Sequence, residues 1–419
     1  MERRELTNPI PGRIIRLDRF TGGWRSVYNG RKVLVNRELH IKLGMDLDTQ
    51  FDDRREFVNR GLPEGEIGTI PPDQVIGQVR FGDQLLDQAE RVISFAPFGQ
   101  VKYAFTPRFQ FILGGRYDRY MYSVTDRLEE SRATRWMRQF SPRLGLIYQF
   151  GEQHQLYANY SHGFQPPTTS ELSNRPDAQG GFHPDLQPEQ IRNVEAGIRG
   201  RFGGDRFDYS IALYNMHYQD MLIPYQSPVP GIEEVFYENA GSAGNLGLEG
   251  RLRWRILPSL EYTVMFTGQR FQFQDFVTAR GSENREEGSQ LSGNLVPGVP
   301  PLRGFMNLTY RSEMYFAGLD FQWVDEYYAN NYNGPPPDET GSRSAYRNSG
   351  YSVVDLQAGV NGSILQAGYR VGIALNNLFD HRYNSSVIPN AFGGRFFEPA
   401  PGRHWSLEVQ LTLGKEGQD

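Results

Sequence analysis

The stretch Leu39-His40-Ile41-Lys42-Leu43-Gly44-Met45-Asp46-Leu47-Asp48 puts Leu, Ile, Leu, Met and Leu on one parity and His, Lys, Gly, Asp and Asp on the other. A two-residue period is the mark of a β-strand whose faces meet different surroundings. The same alternation returns at 193–202, 248–256 and 404–413, and less cleanly near 14–28, 91–105, 109–123, 139–150, 155–163, 206–220, 260–274, 301–312, 315–328, 351–361 and 366–376. About fifteen strands are therefore expected. No apolar run approaches the roughly 18 residues of a membrane helix, so any membrane crossing has to use strands.

The connections constrain the fold further. Thr106-Pro107-Arg108, Gly151-Glu152-Gln153-His154, Gly203-Gly204-Asp205, Leu257-Pro258-Ser259, Arg311-Ser312-Glu313 and Asn361-Gly362-Ser363 read as short turns. Long connections at about 52–90, 124–138, 164–190, 221–242, 275–300, 329–350 and 377–402 alternate with them. A soluble sandwich has no reason for that rhythm. An antiparallel up-and-down transmembrane β-barrel does, with tight turns at one rim and large loops at the other. Its apolar face points to lipid, so Glu195, Arg199, Arg251, Arg253 and Arg255 are expected to line a polar lumen. Aromatics near strand ends (Tyr117 and Tyr120, Tyr157 and Tyr160, Tyr214 and Tyr218, Trp323 with Tyr327 and Tyr328) read as an interfacial girdle. In Tyr160-Ser-His-Gly-Phe-Gln-Pro-Pro-Thr-Thr-Ser-Glu-Leu172, the double proline ends a strand at the barrel rim, and His162 is a rim residue.

Several functions lose support here. The chain has no cysteine, so disulfides and thiolate chemistry are absent. A net charge of -5 gives no electrostatic case for nucleic acid. The seven histidines show no paired metal-ligand spacing, and neither a nucleophile elbow nor a phosphate loop occurs. Asp46, Asp48, Asp52 and Asp53 read as a solvated strand end, and Glu283, Glu286 and Glu287 as part of a loop. No metal site, covalently bound cofactor or enzyme chemistry is expected.

Five ordered blocks carry a family resemblance. They are Pro142-Arg143-Leu144-Gly145 with Leu156–Phe164 and Pro166–Leu172; Pro184–Glu189 with Val194–Gly197; Asn239–Ala243 with Gly247–Gly250; Asn376–Tyr383; and Pro401-Gly402-Arg403. Together they resemble the barrel of TonB-dependent outer-membrane receptors, of the ferric-siderophore type. The resemblance implies a barrel of about 22 strands plugged by an amino-terminal domain. Against that, the fold expected here is all-β but incomplete, with about seven strands and the plug missing. Residues 1–413 would be partial barrel and 414–419 a polar tail; residues 1–11 would be the tail of an outer loop, with Met1 an internal start or a gene-model artefact.

The resemblance also implies uptake of a scarce metal chelate, most simply a ferric siderophore. In the intact protein it would be energised by the TonB complex through the missing plug, which this chain alone would lack. Arg175, His183, Tyr225, Arg343, Tyr346, His381 and Arg395, on the long loops, are the ligand-binding candidates. The alternatives are a passive porin-like channel in the same bacterial outer membrane, or a soluble β-rich binding module.

Overall fold

The computed structural model describes residues 1–10, 12–61, 79–173, 181–226, 235–239, 241–277, 289–336, 341–364, 367–391 and 396–413. Sixteen antiparallel strands form one sheet in chain order. Nine precede the first rim hairpin: β1 (Glu2–Ile10), β2 (Arg13–Leu34), β3 (Arg37–Asn59), β4 (Phe81–Ala104), β5 (Phe109–Asp126), β6 (Ser131–Phe150), β7 (His154–Gln165), β8 (Glu189–Phe202) and β9 (Phe207–Gln219). The hairpin β10 (Leu222–Gln226)–β11 (Val235–Asn239) then stands apart, and β12 (Ser242–Leu257), β13 (Leu260–Asp275), β14 (Leu302–Arg311) and β15 (Tyr315–Val324) continue the wall. The two-residue pair β16 (Tyr327–Tyr328) and β17 (Arg347–Asn348) belongs to the next long loop. The wall ends with β18 (Tyr351–Ile364), β19 (Ala367–Asn376) and β22 (His404–Leu413), the last two separated by the small hairpin β20 (Asn384–Val387)–β21 (Phe397–Pro399). Among the described residues, β1 and β22 are unpaired edges of an open sheet.

Register and exposure separate the faces. Leu43, Leu47, Leu113, Leu144, Leu213, Leu246 and Leu407 are all between 43% and 63% exposed on one face. So many exposed leucines would be a liability in water and suit a lipid-facing belt. The opposite, inner face carries the polar set. Asp46 and Asp52 are only 3% and 4% exposed, which corrects the expectation of a solvated strand end. Arg25 holds Asp46 through two hydrogen bonds of 2.6 and 3.0 Å, and Arg19 holds Asp52 through two of 2.9 and 2.7 Å. Such bidentate pairs compensate much of the cost of taking a carboxylate out of water.

Two further expectations change. Residues 2–10 are not a loop tail but an edge strand, paired from Glu2↔Thr21 to Ile10↔Arg13. The extra strand raises the count from about fifteen to sixteen. The connection expected at 124–138 is instead a turn over 127–130, because β5 and β6 pair out to Asp126↔Ser131. Strands β2, β3 and β4, of 22, 23 and 24 residues, likewise run past the apolar belt. Above it both faces are polar and the ladder is backed by ion pairs such as Arg127–Asp53 and Arg55–Asp53, so hydrophobic alternation stops before pairing does. At the short rim, Gly203, Gly204 and Asp205 all take positive φ (68°, 67° and 66°), which explains two glycines in that turn.

The aromatic girdle is split. Tyr117, Trp136 and Trp323 are outward and 38–54% exposed. Tyr214 and Tyr327 turn inward and are 6% exposed, and Tyr157 lies flat over Gly197, where a Cβ would stand 2.6 Å from its ring. Gly197 thus lets the Tyr157 ring lie against the inner wall.

Candidate functional site at the loop rim

The described parts of several long loops fold onto the inner rim of the wall. After the double proline, Thr168 and Glu171 form a reciprocal cap: Thr168 N–H donates to Glu171 Oε2 at 2.7 Å and Glu171 N–H to Thr168 Oγ1 at 3.3 Å. This starts the single turn of α1 (Thr169–Ser173). Its Leu172, with Phe182 and Leu186, is buried against Tyr122, Val124 and Met137 of β5 and β6. The Arg135 guanidinium donates to the Leu186 carbonyl and fastens the far end.

A second cluster packs Phe273, Phe276 and Leu291 with Ala243. A third joins Val324, Tyr327, Tyr351 and Val353, and a fourth Ala329, Tyr346 and Phe396. Asparagines link the loops that carry them. Asn333 Nδ2 donates to the Leu295 carbonyl at 2.8 Å and its Oδ1 accepts from Leu295 N–H at 2.7 Å. Asn390 Oδ1 accepts from Asn331 N–H at 2.9 Å, and Asn294 Nδ2 donates to the Asn331 carbonyl at 3.0 Å. Asn333 also takes φ 54°, a conformation asparagine tolerates better than most residues. Asn333→Ala therefore leaves both Leu295 backbone groups unpaired. It should loosen the mouth locally by about 1–3 kcal/mol, seen as faster proteolysis and hydrogen exchange around 291–300 and 329–334 with the wall's exchange unchanged.

The candidate ligand residues are distributed unevenly. His183 follows Phe182 of the first cluster, its N–H donating to the Leu172 carbonyl at 2.6 Å and its Nδ1 accepting from Asp185 N–H at 3.2 Å. Arg343 and Tyr346 share one 3-10 turn; Arg343 is exposed and Tyr346 is 9% exposed against Phe396, 5.8 Å between ring centroids. His381 is exposed, bonded through its backbone to Asn377 and stacked near Tyr383 at 6.3 Å. So Arg343, Tyr346 and His381 belong to neighbouring loops over β15–β19, and His183 to the loop over β4–β6. Tyr225 lies in β10, with its backbone opposite Phe236. Arg175, Arg395, Glu283, Glu286, Glu287 and the 414–419 tail fall outside the described residues.

Register places Glu195, Arg199, Arg251, Arg253 and Arg255 on the face opposite the leucines. Arg253 is paired with Asp208, and Arg199 donates to Gln155 Oε1 at 3.0 Å with its guanidinium over the Tyr157 ring. Arg199, Arg251 and Arg253 border a recess of about 750 Å³ at the short-turn end. That end is opposite the loops, so these arginines and the loop residues are not one site. The Asn331–Asn333 ties and the cap at Thr168 were missed from sequence; the Thr-x-x-Glu spacing of the cap was the available signal.

An apolar outward belt, a polar inner wall and loops folded onto one rim define an outer-membrane β-barrel wall with a built mouth. The chain belongs to the TonB-dependent receptor β-barrel family: residues 7–378 match the family described as "TonB dependent receptor-like, beta-barrel". It is 26% identical over 382 residues to the metal-pseudopaline receptor CntO of Pseudomonas aeruginosa, covering 89% of this chain and 48% of the receptor. It is 28% identical over 142 residues to the ferrioxamine B receptor of Salmonella typhimurium, covering 34% of this chain and 18% of that one. Among solved structures it shares its fold with the unliganded ferric citrate transporter FecA, at TM-score 0.74 and 15% identity, covering 98% of this chain and 57% of that one. The siderophore receptor PiuA of Acinetobacter baumannii is similar at TM-score 0.71 and 16% identity, covering 95% and 57%. The chain spans about half the length of the curated receptor it matches first. These are transport receptors of the bacterial outer membrane, and the passive-porin alternative finds no support among them.

Proposed function

We propose that this chain forms wall and outer mouth of a receptor for high-affinity uptake of a metal chelate, most simply a ferric siderophore, energised through the TonB complex in the whole protein. The observation that carries the reading is the loop rim. Four apolar clusters and a lattice of asparagine bonds hold the long loops over the inner mouth, with His183, Arg343 and His381 on them. Preorganised loops reduce the ordering cost of capture, and Arg, His and Tyr can hydrogen-bond an anionic chelate. The named relatives take metal–pseudopaline and ferrioxamine B. The test deletes the gene from its native locus and measures uptake of labelled iron presented by a panel of siderophores. Loss of one chelate's uptake, restored by the gene only in cells with an intact TonB complex, is expected. Unchanged uptake of every chelate, or restoration without TonB, would overturn the proposal.

A further inference from the structure

Two adjacent cross-strand rows on the inner wall of β8, β9 and β12 differ in what stands at their centre. In the row nearer the short turns, Asp208 of β9 lies between Arg201 of β8 and Arg253 of β12. Its carboxylate accepts from Arg253 Nε at 2.7 Å and comes within 3.9 Å of Arg201 Nε. In the next row Ser210 lies between Arg199 and Arg251. A neutral hydroxyl thus stands where the row below has a carboxylate.

Charge is therefore balanced in one row and not in the other. Arg199 donates to the uncharged Gln155 at 3.0 Å, with its guanidinium 5.6 Å from the centre of the Tyr157 ring. Among the described residues Arg251 forms neither an ion pair nor a side-chain hydrogen bond. The acids along the same face do not supply the missing charge. Glu195 accepts from the Tyr157 hydroxyl, Glu261 lies 3.9 Å from Arg253, and Glu249 forms no ion pair among the described residues. All four arginines border the recess of about 750 Å³ at the short-turn end, against Asp208 and Glu152 as its acidic lining.

We propose that the Arg199–Ser210–Arg251 row is a binding site for a small polycarboxylate anion. The two arginines leave the backbone about 10 Å apart, twice the strand spacing, on either side of the Ser210 hydroxyl. Each guanidinium fork can present two N–H donors to a carboxylate, and the serine hydroxyl adds another. The bound anion would do in this row what Asp208 does in the one below. A carboxylate-bearing metal chelate passing the short-turn end and a free polycarboxylate share that chemistry. The row lies at the end of the wall opposite the loop rim, so the site stands independently of capture there.

The test uses the whole chain in mild detergent, titrated calorimetrically with tricarballylate or with its uncharged triamide. Tricarballylate is expected to bind at least about tenfold tighter than the triamide, and less tightly as salt rises. Ser210→Asp copies Asp208 into the upper row and should lower tricarballylate affinity at least about tenfold. Ser210→Asn should keep most of it, and Arg199→Gln with Arg251→Gln should lose as much as the aspartate variant. Arg370→Gln, on the inner face of β19 with its guanidinium 3.6 Å from the centre of the Phe316 ring, should leave affinity unchanged. Ferric citrate titrated against citrate separates the two sources: tighter binding of the ferric complex marks chelate in transit, and equal binding marks free anions. Equal affinity for tricarballylate and triamide would overturn the proposal, as would full affinity in the folded Ser210→Asp variant. A loss in Arg370→Gln equal to that in the double glutamine variant would also overturn it, by showing a diffuse cationic surface instead of a site. Should either the aspartate or the double variant fail to fold, Arg251→Gln alone decides.

Discussion

Arg116→Leu is expected to destabilise the wall by about 3–5 kcal/mol. Arg116 Nε donates to Asp118 Oδ1 at 2.8 Å, and its guanidinium also reaches Asp46. Asp118 is 2% exposed, and its other carboxylate oxygen has no hydrogen-bond partner among the described residues. Leucine at position 116 would strand that carboxylate, whereas Asp46 would keep Arg25. Breaking a buried pair by removing one partner costs far more than removing both. Arg116→Leu combined with Asp118→Leu should therefore recover most of the loss. Arg116→Lys keeps a charge but not the fork and should fall in between. The readout is the temperature at which the folded, fast-migrating form disappears in detergent electrophoresis. A single leucine variant as heat-resistant as the parent would refute this account of the inner wall.

That network marks the limit of what the sequence revealed. Alternation located the belt because an outward Leu43 or Leu144 meets lipid while its neighbours do not. It could not show that β2 continues to Leu34, because Asn29-Gly30-Arg31-Lys32 carries no apolar parity, although the ladder runs through it to Leu34↔Arg37. Nor could it show residues 2–10 as a strand, since Glu-Arg-Arg-Glu pairs with β2 through backbone bonds and ion pairs such as Arg3–Asp18. Asp46 looked solvated because its two arginine partners stand 21 and 70 positions away. The candidate site was legible only as far as loop membership. Arg343 and Tyr346, three positions apart, differ in that one is exposed and the other is covered by Phe396, and only the folded loop decides that.

Glu90 extends the same reasoning to pH. It lies above the apolar belt, opposite Asp52 on the inner face, and is 6% exposed. Arg54 approaches only to 3.8 Å, Arg19 is committed to Asp52, and Glu56 adds a further negative charge. Burial, with Asp52 and Glu56 adding to it against Arg54 and Arg19, raises the Glu90 carboxyl from 4.5 to about 7. The folded chain therefore holds a proton between those values that the unfolded chain has released. For a carboxyl raised on folding, stability must fall as pH rises. The contribution is fully present below pH 4.5 and is lost by pH 7 or a little above, and at 1.36 kcal/mol per unit it amounts to about 3 kcal/mol. Glu90→Gln keeps the neutral shape. It should flatten this part of the stability profile and make the variant more stable than the parent at pH 8 while matching it near pH 4.5. Denaturant unfolding of both chains in detergent from pH 4.5 to 8 measures the difference, and parallel profiles would show that Glu90 is already ionised in the folded wall.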